Sequence, residues 1–512
     1  MDWVKRNCEY TLTDGKSGFA ISFAGMKFDE NDLAKLDKAF AKASAGIADI
    51  EAGAIKNPDE QRKVTHFTDR IAYPESAAFA AVETFAAKVI AEGKFDAVVV
   101  NGIGGSALGP QLMQFAINGP YWNELPRSKR NGLKIYFLDN TDSSGFADLL
   151  KVMEPEKTIH LVISKSGGTQ ETKNDMIAME KFYASCNLDF AKYAVAVTML
   201  NSSLYKHAKE NNWLEIFEMA ESIGGRTSET AIVGHLPAAL TGIDFGKFLA
   251  GACDMDAWTR NADFRSNPAL FLAAIWYIAG NGKGDRNMVI VPYSDRLVLL
   301  SRYLQQLVME SLGKELDLDG NVVHQGLNVF GNKGGTDAHA FIQQLNDGRD
   351  DFFATFIEVL QDAANLEIND GISMGDYLHG FFEGLSAALR SKGRQTITIR
   401  IPQLTVYELG QIIALYERAV AMYAEFININ AFHQPGVQAY KLAAKDVLAL
   451  RGKVLAALQG KSGFSGSGKE FAELAGTPDK AVEVASILDK AALNNGAVSR
   501  EFNGKNWVYT VK

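Results

Sequence analysis

The sequence predicts an α/β protein in which two parallel-sheet layers follow one another along the chain. Three observations carry that expectation. Short β-branched and apolar runs alternate with helical patterns over residues 96–199. The alternation restarts after an apolar helical stretch at 236–282, and glycine- and hydroxyl-rich loops follow directly on individual strands. Strands covered on both faces read as near-continuous apolar runs, as these do.

In chain order, residues 1–60 read as a helical lead-in, with Leu33, Leu36, Phe40, Ala43 and Ile47 at helical spacing. The first α/β domain is expected over 61–250, with strands at 96–101, 134–139, Thr158–Ile163 and 193–199. The boundary falls near 245–265, in the helical stretch that contains the apolar run 270–277. Strands at Asn287–Tyr293, Phe352–Val359 and Gln395–Ile401 build the second α/β domain, over 265–430. A helical arm follows at 431–459, and the Gly/Ser-rich stretch 460–468 has the composition of an exposed linker. The tail, 469–512, offers a helix at 479–492 and a hairpin of VSREF and WVYTV around Asn503-Gly504. That is the outline of a small α+β appendage of winged-helix type.

Composition excludes several classes. A 47% hydrophobic and 22% charged chain is that of a soluble globular protein. A net charge of −9 argues against bulk nucleic-acid or membrane-surface binding, and the tail has no basic excess. The three cysteines, Cys8, Cys186 and Cys253, are scattered, which suits a reducing compartment and offers neither a disulfide framework nor a CxxC site. The eight histidines show no HxxH or HExxH spacing, so no metal is expected. The opening MDWVKRNCEY lacks the apolar core of a signal peptide, and runs such as 271–279 are too short to span a bilayer. A cytoplasmic protein with no nucleic-acid or membrane partner is the expectation.

The chemistry-bearing motifs lie in loops. After Thr158–Ile163 comes Ser164-Lys165-Ser166-Gly167-Gly168-Thr169, then a helical pattern with Met176, Met179 and Tyr183 on one side. Strand, hydroxyl-and-glycine loop and helix N-terminus together build a phosphate site, because backbone N–H groups converge and the helix dipole favours an anion. Four hydroxyls and a lysine within nine residues favour that reading over an ordinary turn. The second loop, Gly102-Ile103-Gly104-Gly105-Ser106-Ala107, fits the dinucleotide fingerprint, but the next strand-end acid, Asp139, lies well past the roughly 20-residue spacing expected for it. A nicotinamide cofactor is therefore disfavoured. The loop reads instead as a close approach to a small ligand, with Ser106 facing it.

Arg226, behind Gly224-Gly225, suits an anion, and a solvated loop arginine reads the same way. Gln306 and Glu310 are four apart on a helix expected to end at Gly313, and so share a face. A carboxylate in the last turn meets the negative end of the helix dipole, which suits a group that takes and returns a proton. An ordinary surface glutamate has the same spacing. His339, after the glycine-dense Gly331–Gly335 loop, sits at the start of a new helix, where a capping role is equally compatible. In Gln434-Pro435-Gly436-Val437-Gln438-Ala439-Tyr440-Lys441, Pro435 fits the first helical position. Lys441 shares a face with Val437, Ala444 and Leu448, so its amine either faces an anionic ligand or snorkels.

In this order the motifs GIGGSALGP, SKSGGTQET, GGRTS, ESLGK, GNKGGTDAHAF and QPGVQAYK resemble the glucose-6-phosphate isomerase (phosphoglucose isomerase) family over about residues 95–450, in its bacterial and plastid branch. Each motif alone is weak; six in order are specific. The resemblance implies two tandem sugar-isomerase (SIS) domains in a homodimer, with active sites at the subunit interface. It implies interconversion of glucose 6-phosphate and fructose 6-phosphate, in glycolysis and gluconeogenesis, through ring opening and a cis-enediol, without metal or organic cofactor. Ser164, Lys165, Ser166 and Thr169 would hold the phosphate, with Gly105 and Ser106 lining the site. Glu310 would move the proton between C1 and C2, and Arg226 would stabilise the developing charge. Gln306 and Gln434 would contact the sugar. His339, from the neighbouring subunit, and Lys441 would assist ring opening. Gln438 stands where the family usually has glutamate, and the resemblance assigns the tail no role. An alternative of another class is a phosphosugar sensor with a DNA-binding tail. It would not need Glu310, His339 and Lys441 together.

Overall fold

The computed structural model describes residues 2–512 apart from Asn495, with no side chains at 438–440. It divides into two compact units, Met1–His433 and Gln434–Lys512.

The first unit is α/β and holds two sheets, as expected. The first sheet is wholly parallel, in the order Lys134–Leu138, Ala97–Asn101, Thr158–Ile163, Ala194–Thr198, Glu215–Glu218. Its three central strands are buried at every residue, which is why they read as unbroken apolar runs. The second sheet runs Thr11–Thr13, Ala20–Ser22, Gln395–Ile401, Phe352–Val359, Asn287–Tyr293, Val329–Phe330. Its last four strands are parallel and its first two antiparallel.

One expectation is corrected here. Residues 1–60 are not purely helical: besides helices such as Asp37–Glu51 they supply the two strands that edge the second sheet. Three-residue strands leave too short a periodicity to read, and their partner, Gln395–Ile401, is remote in sequence. The expected boundary segment 245–265 is largely helical, as the stretch around it reads. Helix Phe245–Trp258 packs with Pro268–Ala279 and the long Val406–Phe426 in one buried helical layer. Within that layer Arg70 is fully buried between Asp256 and Glu417, and Arg418 shares Asp256, so the charges there are paired.

In the second unit helix Pro435–Ala457 leads into a three-stranded sheet, Ser465–Gly466, Trp507–Val511, Val498–Phe502, with helices Gly468–Leu474 and Ala481–Asn494. The hairpin pairs Phe502 with Trp507, as its Asn-Gly turn suggests. The stretch 460–468 is folded rather than a loose linker. Ser465–Gly466 pairs with Tyr509 and Thr510, and Ser467 forms a capping box with Glu470. Phe464 meets Phe471 edge-on at 5.0 Å. Small residues wrote both the linker-like composition and the cap.

Candidate functional site: an anion cradle beside a carboxylate–guanidinium pair

Thr158–Ile163 delivers the loop 164–169 to the N-terminus of helix Gln170–Ser185. Gly167 has φ +69°, and a Cβ there would lie 2.3 Å from the Leu204 nitrogen, so this position accepts only glycine. Thr169 takes the N-cap position without a side-chain cap, and its hydroxyl accepts from Ser164 Oγ at 3.4 Å. The Gly168 N–H donates to Ser166 Oγ at 3.1 Å. Ser164, Gly167 and Thr169 open on a cavity of about 140 Å³ that Thr172, Lys173 and His207 also line. The Thr172 hydroxyl is buried with no hydrogen-bond partner in the protein. It was not singled out from sequence. The signal lay in its spacing, one helical turn after Thr169.

Lys165 departs from its expected part. Its amine donates to the Glu221 carbonyl, and to that of Ile223 at 2.8 Å. It thus ties the cradle to the loop that carries Arg226, where the expectation had it on the phosphate. Burial, reinforced by the charge of Arg62, brings its pKa down to about 8.

The glycines after Ala97–Asn101 serve packing. A Cβ on Gly105 would lie 1.7 Å from the Gly225 carbonyl oxygen, so the two loops meet backbone to backbone. Ser228 Oγ also donates to the Gly105 carbonyl, at 3.3 Å. Gly104, at φ +59°, leaves room for the Gln306 side-chain amide. Ser106, in the first turn of helix Gly105–Ile117, is half-buried.

Arg226 and Glu310 come together. Arg226 is 6% exposed; its Nε lies 3.4 Å from Glu310 Oε2, whose side chain keeps 22% exposure. Its other nitrogens donate to Ser311 Oγ and to the Ala431 and His433 carbonyls, each at 3.3 Å. Burial lowers its pKa and Glu310 opposes that; a guanidinium stays charged regardless. A fixed cation therefore faces a partly open carboxylate. The helix beneath is not regular: Leu300–Leu304 is α, but Gln305–Glu310 is a π turn, so Gln306 and Glu310 do not stack as an α-helix would stack them.

His339 ends a single 3₁₀ turn, Thr336–His339, rather than starting a helix, and it is exposed. Among the described residues no hydrogen bond or ion pair joins it to Arg226 or Glu310. Gln434 and Lys441 belong to the second unit. Gln434 precedes helix Pro435–Ala457, and Lys441 is exposed on it, as are Ala444 and Leu448. The apolar stripe expected beneath Lys441 does not face a core. The helix packs through Leu450 and Val454, further along. The Gln438 side chain lies outside the described residues. Among the described residues no three His, Cys, Asp or Glu side chains converge as a metal site would, and no helix is long and apolar enough to cross a membrane.

The fold and the site define a class: an α/β protein with a glycine- and hydroxyl-rich strand-to-helix loop and a buried guanidinium paired with a partly open carboxylate. Comparison with known proteins narrows it. This chain belongs to the phosphoglucose isomerase family, which it matches over residues 79–383 and 383–454. The glucose-6-phosphate isomerase of Nostoc punctiforme is 46% identical over 501 residues, covering 94% of this chain and 93% of its own. That of Geobacter sulfurreducens is 44% identical over 506 residues, covering 95% and 94%. In structure, the glucose-6-phosphate isomerase of Chlamydia trachomatis superposes with a TM-score of 0.78 at 27% identity, covering 87% of this chain and 90% of its own.

Proposed function

We propose that the protein interconverts glucose 6-phosphate and fructose 6-phosphate in the cytoplasm, within two sugar-isomerase domains at about 61–250 and 265–430. The observation that carries the chemistry is the Glu310 carboxylate 3.4 Å from the buried Arg226 guanidinium. Glu310 takes a proton from C2 of the open-chain aldose and returns it at C1. Arg226 stabilises the negative charge that builds on the enediol oxygens. Ser164, Ser166, Thr169 and the helix N-terminus hold the phosphate, so binding energy at the remote end orients the reacting carbons. Ser106, Gln306 and Gln434 contact the sugar, and Gly105 shapes the wall. Lys441 assists ring opening, a role that rests on its place in the matched segment. The coupled assay of fructose 6-phosphate turnover tests the reading on wild type and Glu310→Gln. The substitution is expected to lower kcat by orders of magnitude; undiminished activity would remove Glu310 from the reaction.

His339 acts across a homodimer interface in this reading. Its exposure supports that, as do the exposed apolar side chains Leu366, Ile368, Ile372, Met374 and Phe381, which a second copy could cover. Mixed dimers of Glu310→Gln and His339→Ala chains contain one wild-type site only if His339 is donated in trans. Recovery of activity on mixing two inactive preparations is the expected result. No recovery would place His339 in its own chain's site.

A further inference from the structure

The helix that carries Glu310 ends at Leu312, and its last carbonyls lack partners within the helix. Two of them, those of Glu310 and Ser311, accept from the amine of Lys314 at 2.7 and 2.8 Å. Lys314 is 5% exposed, and burial, helped by the charge of Arg226, pushes its pKa down to about 7. Burying an amine is costly, and a methionine would fill a similar volume without that cost. The same two residues reach Arg226 through their side chains. Glu310 Oε2 lies 3.4 Å from Nε, and Ser311 Oγ accepts from an Nη at 3.3 Å.

We infer that Lys314 is a positioning residue for the proton transfer: its amine pins the backbone of Glu310 and Ser311, so that the carboxylate and the hydroxyl that meet Arg226 share one rigid frame. The amine needs only two N–H groups for this, and it has two even when neutral. The phosphate cradle is not part of that frame. Loss of the amine therefore disturbs the chemical step and leaves substrate binding. The inference rests on Glu310 being the proton carrier.

The test compares Lys314→Met, which removes both donors, with Lys314→Arg, which retains donors, in the full-length enzyme. With fructose 6-phosphate as substrate, Lys314→Met is expected to lower kcat about 10- to 100-fold with KM within about threefold, as misplacement of a catalytic group does. Lys314→Arg is expected to recover most of the loss. A folded Lys314→Met enzyme with kcat within about threefold of wild type overturns the inference, as does a loss in kcat matched by a rise in KM. Should Lys314→Met not fold, Lys314→Leu, which also removes both donors, is judged by the same two criteria. An inactive Glu310→Gln beside a normal Lys314→Met sinks this inference alone. A fully active Glu310→Gln sinks the reading beneath it.

Discussion

Arg226→Lys asks the site its sharpest question, because it keeps the charge and removes the geometry. The guanidinium is 6% exposed, and the groups it meets include Glu310 at 3.4 Å, and Ser311 Oγ and the carbonyls of Ala431 and His433 at 3.3 Å. An ammonium offers one nitrogen where the guanidinium offers three, and cannot span these directions. Two consequences separate. In the ground state each buried acceptor left unpaired costs about 1–3 kcal/mol, so the variant melts at a lower temperature. In the transition state, loss of one preorganised donor aimed at a developing oxyanion costs about 2.7–4 kcal/mol, or about 10²–10³ in kcat. KM should stay within about threefold if, as proposed, other groups at Ser164–Thr169 hold the phosphate. Steady-state kinetics at saturating fructose 6-phosphate, with a thermal melt to confirm folding, measure both terms. A folded Arg226→Lys with kcat within threefold of wild type would refute the assignment of this cation to the enediolate. A rise in KM equal to the loss in kcat would move Arg226 to ground-state binding.

Two further outcomes follow from buried polar groups. Thr172→Val keeps the shape of the side chain and removes a buried hydroxyl without a protein partner, on a residue that lines the cradle. A lost hydrogen bond to a charged group is worth about 1.5–3 kcal/mol, so KM should rise at least about tenfold at constant kcat; an unchanged KM would take Thr172 out of the phosphate site. Lys314 gives a pH signature in stability. Its folded-state pKa, about 7, lies below the ordinary lysine value of 10.5, so between those limits the unfolded chain binds the proton more tightly and folded-state stability rises with pH. Wild type should therefore gain stability relative to Lys314→Met between pH 7 and pH 10, by an amount on the order of a few kcal/mol, in urea titrations at the two pH values. A constant difference would mean that Lys314 is not held in a desolvated site.

Strands buried on both faces announced themselves, because Val, Ile, Leu and Ala at most positions leave little other reading: Ala97–Asn101, Thr158–Ile163 and Ala194–Thr198 fall where the apolar runs put them. The edge strands Thr11–Thr13 and Ala20–Ser22 did not, because their identity lies in a partner far along the chain. The site was legible as residue types and only partly as roles. The glycines at 104, 105 and 167 were recognisable as places where backbone comes close to something. That Gly105 meets Gly225 depends on a contact between two loops, which no local pattern encodes. Lys165 shows the same limit: beside hydroxyls it reads as a phosphate ligand, while its amine in fact closes on two carbonyls. Lys314 stood inside a quoted motif and carried no signal of burial, because its neighbours Gly313 and Glu315 are not apolar.

The π turn under Glu310 leaves only a partial trace in the spacing. Leu300, Leu304, Val308 and Leu312 are buried every four residues, beside Tyr303, Leu307 and Ser311, which the 3.6-residue α period accommodates. Widening one turn at Gln305–Glu310 displaces Glu310 from the position above Gln306 towards Arg226. If that displacement serves the chemistry, removing the extra residue should abolish activity without unfolding the protein. Met309 is the residue to delete, being exposed and outside the core row. Without it the segment can close as an α-helix, since the spacing from Val308 to Leu312 shortens to three. The deletion is expected to leave a cooperative melt and to lower kcat by about 100-fold or more, the usual penalty for a reacting group moved by about 1 Å. A deletion variant that keeps kcat within threefold would show that Glu310 reaches its place without the π turn. The four-residue spacing would then be a matter of packing alone.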